Sequence, residues 1–81
     1  MADFNLGLEI CRVKERAEGV QAEYLFYCRK KGIPLNDMPK QLKDNYIELE
    51  NIKAHNAHKC KTINDINCLK NRIAELKELV K

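Results

Sequence analysis

Two histidines and four cysteines are the residues of this 81-residue chain with the most chemical potential. His55, His58 and Cys60 form the one local cluster of metal-ligand types. Histidines three apart share a helix face, but Cys60 falls off that face, and a structural zinc takes four ligands. Cys11 is the added donor that an antiparallel arrangement could bring across. These four are therefore weak metal candidates, and a solvated histidine pair beside Lys53, Lys59 and Lys61 is the preferred reading. No cofactor is expected. The cysteines Cys11, Cys28, Cys60 and Cys68 have spacings that fit neither a zinc ribbon nor a thioredoxin-type motif. Structural, reduced thiols are expected, with Cys60 a small core residue.

Catalysis finds no support. There is no glycine-rich phosphate loop after a strand, no nucleophile elbow and no carboxylate pair in a recognisable frame. A chain of two or three helices also lacks the concavity that small-molecule sites need. No enzyme and no small-molecule substrate are expected, and Glu15, Glu18, Glu48 and Glu50 are read as solvated helix faces.

Basic residues gather in two places. Arg29, Lys30, Lys31, Lys40 and Lys43 crowd around the apolar Ile33, Leu35 and Met38. A second group, Lys53, His55, His58, Lys59 and Lys61, falls opposite Arg12, Lys14 and Arg16 in the fold derived below. Charge at helix ends often serves only the dipole and solubility. The functional reading is a docking surface for an acidic protein or, through Arg12, Arg16, Lys53, Lys59 and Lys61, for nucleic-acid phosphates. The net charge of +3 is mild for a nucleic-acid binder.

Positioning these groups falls to helices. Leu6, Ile10, Val13, Ala17, Val20, Tyr24 and Tyr27 alternate in steps of four and three, the seam of a coiled coil, and predict a first helix over about 4–31. Asp3 or Asn5 can cap its start, Arg29-Lys30-Lys31 suit its end, and Gly32 is a left-handed terminator. A turn over 32–38 follows, where Pro34 breaks the helix and Asn36 or Asp37 can cap a second one. That helix is expected over about 38–61, with Pro39 in its first turn. Its stripe is Leu42, Tyr46, Leu49, Ile52, Cys60 and Ile63, interrupted by Lys53 and Asn56.

Pairing the two stripes antiparallel, Val20 with Leu49, Ala17 with Ile52 and Leu6 with Ile63, puts the fold centre at Pro34-Leu35, where the turn chemistry lies. Two independent signals thus agree on an all-α, coiled-coil-like helical hairpin in a single domain spanning 1–81. The segment 62–81 has no partner in that hairpin, yet Ile66, Leu69, Ile73, Leu76 and Val80 make a clean apolar zipper. Either the second helix runs on as an overhang of about 25 Å and meets another copy or another protein, or it breaks near Thr62 and folds back as a third helix. Thr62 and Asp65 resemble a capping box at that point.

No apolar run approaches the roughly 20 residues of a membrane helix, and the start Met1-Ala2-Asp3-Phe4 does not resemble a secretory leader. A cytoplasmic protein without membrane contact is expected. Lysine, asparagine and isoleucine number 11, 8 and 7, a bias that points to an A/T-rich, viral or bacterial genome. The functional expectation is a small adaptor, regulator or inhibitor that binds a protein partner, a homodimer included, through the C-terminal zipper and the hairpin tip. The alternative is a nucleic-acid-binding accessory factor.

Overall fold

Asn5 opens the first helix as its N-cap: its side-chain oxygen accepts the Leu8 N–H at 3.0 Å. The computed structural model describes residues 5–81. Asp3, the other cap candidate, and Phe4 lie outside the described residues. Helix α1 spans Leu6–Lys31. It stops at Gly32, whose φ of 71° is the left-handed conformation that a side chain would strain; its N–H and that of Ile33 return to the carbonyls of Arg29 and Cys28.

The turn is more structured than the expected loop. A short 3-10 turn occupies Leu35–Asp37, and helix α2 begins at Lys40 rather than Met38. Pro39 sits at the cap position with no side-chain cap, so neither Asn36 nor Asp37 takes the expected capping role. The physical reason is the pair of prolines. Pro39 keeps the residue before it extended, and Met38 has ψ 128°, so the helix cannot start until both are passed.

Helix α2 covers Lys40–Asn51 and continues through a π turn at Ile52–Asn56 and a 3-10 turn at Ala57–Lys59. The wide turn explains the interrupted seam. It inserts one extra residue, so the inward position expected at Asn56 is taken instead by Ala57, which is fully buried while Asn56 is exposed. Lys53 is accommodated rather than excluded, because its ammonium donates to the buried Gln21 of α1 at 2.8 Å.

The chain then breaks. Cys60 is extended, with ψ 135°, and α3 spans Ile63–Glu78. Thr62 and Asp65 form a reciprocal capping box: Thr62 Oγ1 accepts the Asp65 N–H at 3.2 Å, and Asp65 Oδ2 accepts the N–H groups of Thr62 and Lys61 at 3.1 and 2.9 Å. Of the two expected courses for 62–81, the fold takes the third helix. Helix α3 runs back along α1, its Lys70 paired with Glu9 at 2.9 Å and its last turn held by Tyr24.

One core joins the three helices. Val13, Ala17, Val20 and Tyr24 of α1, Leu49 and Ile52 beyond the tip, Ala57, Cys60, and Ile66, Ile73, Leu76 and Val80 form a single buried cluster. Ile63 does not join it. At 46% exposed it lies before the first inward turn of α3, because the break at Cys60 resets the helical phase. The molecule measures 48 × 21 × 15 Å, elongated and one helix pair thick.

Candidate docking site

Among the described residues no three His, Cys, Asp or Glu side chains gather closely enough to hold a metal ion. His55, His58 and Cys11 are exposed, while Cys60 is buried. All four cysteines are free thiols. Burial pushes the Cys60 thiol up, which favours its protonated form, and its Sγ donates to the carbonyl of Asn56 at 3.6 Å. That carbonyl belongs to the irregular end of the second helix, where acceptors lack intrahelical partners. Cys60 therefore serves the helix end and the core, and the histidines have no ligand set to join.

The zipper residues need correcting. Ile66, Ile73, Leu76 and Val80 are each at most 7% exposed, and Leu69 is partly buried against the same cluster, all within one chain. The stripe proposed to bind a second copy or a partner helix is covered by α1, because the break at Thr62 turns the overhang back onto it. What had looked like an unpartnered surface is the third wall of the core.

Polar side chains fix the register between the helices. Gln21, 4% exposed, donates from Nε2 to the Tyr46 carbonyl at 3.3 Å and to Glu50 Oε1 at 3.1 Å while accepting from Lys53. Between α2 and α3, Arg72 clasps the Glu48 carboxylate with two nitrogens, Nη2 to Oε1 at 2.8 Å, and touches Glu75 at 3.3 Å. These bonds hold Glu48 below the ordinary carboxylate range, and the hydrogen bond from Lys70 does the same for Glu9. Neither Gln21 nor the Arg72 clasp was singled out from the sequence. Gln21 could have been found, since Ala17, Gln21, Tyr24 and Cys28 form a second stripe beside the first, a width that calls for two neighbouring helices.

Of the two basic groups, the second is partly neutralised. Arg12 pairs with Glu9 at 3.0 Å, and Lys53 with Glu50 at 3.5 Å. Arg16, Lys59 and Lys61 are exposed.

At the tip, the 3-10 turn holds Leu35 outward at 58% exposure, with Ile33 and Met38 half-buried beside it. Arg29, Lys30 and Lys31 at the end of α1 and Lys40 and Lys43 at the start of α2 are all exposed. Lys31 rests over the Tyr27 ring, 5.7 Å from its centre, which orients one of the five cations. The tip thus combines an ordered turn, an exposed apolar side chain and five exposed cations in the flanking helix ends.

Comparison with known proteins finds no matching family model, no similar curated protein and no similar solved structure. No helix among the described residues is long and apolar enough to cross a membrane.

Proposed function

We propose that this chain is a small, non-enzymatic cytoplasmic interaction module, an adaptor or regulator that docks an acidic protein partner on its hairpin tip. The observation that carries the reading is Leu35, an apolar side chain displayed on a short turn between two prolines, with the exposed Arg29, Lys30, Lys31, Lys40 and Lys43 in the helix ends that flank the turn. An apolar centre with a charged rim is the anatomy of a transient protein interface. Rim cations speed encounter with an acidic partner, while the apolar centre supplies residence time. Asp37 within the turn carries an opposing charge that helps set orientation.

The alternative, a nucleic-acid accessory factor built on Arg12, Arg16, Lys53, Lys59 and Lys61, is weakened by the ion pairs of Arg12 and Lys53. Salt-sensitive binding of generic DNA or RNA at low ionic strength would favour it.

The test is affinity capture from native-host extract with wild-type bait and with K40E/K43E bait, after circular dichroism shows equal helix content. Proteins retained specifically by wild type should fall at least tenfold with the variant. Equal retention would reduce the tip to a turn.

A further inference from the structure

Between α1 and α3 lies an open cleft of about 400 Å³, with Val20 and Ile73 of the core among its lining residues and none from α2. Gly19 and Ala74 line it, and its rim carries Arg16, Lys70 and Lys77 against the single carboxylate of Glu23. The depression continues over Ala22 to Phe26, and from Phe26 to Lys30 and Lys31 at the upper end. Arg16 to Lys30 along α1 is about 21 Å at 1.5 Å per residue, the length of about four helical turns.

Three properties of this cleft are unexplained by the fold. Phe26 is 63% exposed, more than any other large apolar side chain among the described residues. Its side chain adds nothing to the core. Gly19 has ordinary helical geometry, since Gly32 is the positive-φ glycine, and a Cβ there would meet nothing within 4 Å. Neither backbone conformation nor internal packing calls for glycine, although it costs the helix about 1 kcal/mol relative to alanine. Finally, Lys70 is committed to Glu9, but Arg16, Lys30 and Lys77 make no salt bridge among the described residues.

A bare stretch of helix backbone beside a projecting ring permits close approach by another helix, and the unpaired cations along the rim specify its charge. We propose that the α1/α3 cleft docks an acidic amphipathic helix of another protein. The partner's apolar ridge lies over Gly19 against Phe26, and its carboxylates meet Arg16, Lys77 and Lys30. This is the helix-in-groove mode, with affinity from apolar anchors and selection by charge. Nucleic acid fits less well, because one aromatic ring makes no stacking platform and phosphates would engage the rim cations alone, leaving Phe26 and the apolar floor uncovered. The cleft shares only Lys30 and Lys31 with the tip, and its occupancy does not depend on the tip's function.

The experiment is a nuclear magnetic resonance titration of the full chain. The probe is a synthetic helical peptide of glutamate, alanine and leucine with all leucines on one face; the control replaces each glutamate by lysine. The acidic peptide should shift the amides of Gly19, Ala22 and Ala74, and the lysine peptide should not. Gly19→Leu projects into open space, so it should keep the wild-type spectrum elsewhere while weakening binding at least tenfold. R16E/K77E should do the same. K40E/K43E at the tip should leave this titration unchanged, which separates the cleft from the tip. The proposal is overturned if the acidic peptide shifts no cleft amide, if the lysine peptide binds equally, or if Gly19→Leu binds like wild type. Stronger shifts of the same amides with oligouridylate, or self-association that occupies the cleft without peptide, would also overturn it.

Discussion

Tyr24 lies where α1 meets both of its neighbours. It is fully buried, and its hydroxyl donates to the carbonyl of Leu76 at 2.6 Å. That carbonyl is in the last turn of α3, where helix acceptors run out of intrahelical donors; the Val80 N–H goes to Lys77 instead. The phenol thus closes a helix end from inside the core. Replacing Tyr24 with Phe keeps the ring and leaves the carbonyl unpaired, so it should cost about 1–3 kcal/mol of unfolding free energy in a urea titration. An unchanged midpoint would mean that the bond contributes nothing. The sequence marks Tyr24 as a seam aromatic, but its hydroxyl's task depends on where α3 lies and cannot be read from spacing alone. Carboxylates show the same dependence on tertiary partners. Glu9, Glu48 and Asp65 are held low by Lys70, by Arg72 and by the N–H groups of Lys61 and Thr62. A folded pKa below the unfolded one adds stability that is present above the unfolded value and lost as pH falls through the folded one. The urea midpoint should therefore hold from pH 7 to pH 5 and fall below about pH 4, the ordinary carboxylate region. A midpoint flat down to pH 2 would contradict these assignments.

Among the elements, α3 is the one whose place rests on a local signal. The Thr62–Asp65 box satisfies three backbone donors at a helix start and fixes the break that turns the chain back. Thr62→Ala should cost about 1 kcal/mol and should raise amide exchange first over the opening turn of α3, leaving the middle of α1 protected. Uniform loss of protection would show that the cap and the global core are inseparable. The box was visible in the sequence, but the zipper from Ile66 to Val80 fitted an overhang equally well, and only the helix it packs on could decide. The hairpin was more legible because two signals agreed: the heptad of α1 and the Gly32 to Pro39 turn. The start of α2 was not, since the extended Met38-Pro39 pair delays it to Lys40. Nor was the π turn, where a lysine and an asparagine that break the stripe are resolved by one inserted residue, by Gln21 and by the burial of Ala57.

For the molecule as a whole, the width of the apolar face on α1 decides how much surface is left to bind with. Gln21 turns toward the second helix, where it meets Tyr46, Glu50 and Lys53, while Tyr24 reaches Leu76 of α3, so the face of α1 serves two neighbours and takes up the zipper of α3. That use of the zipper removes the most obvious dimerisation surface, and the proposed contact surfaces are instead the tip and the α1/α3 cleft. It also gives a chain of this length three walls around its core, which a lone hairpin with a bare overhang would lack. Candidate sites were legible in the sequence only where they were local: the cations and Leu35 of the tip fall close together in the chain, whereas the cleft joins residues of α1 to residues of α3. Sedimentation velocity from micromolar to near-millimolar concentration tests the folded-back arrangement most directly. It should show one species of 9.4 kDa throughout. A mass that doubles with concentration and reverts when Ile73 and Leu76 are replaced by polar residues would contradict it, since the stripe would then be shared between chains.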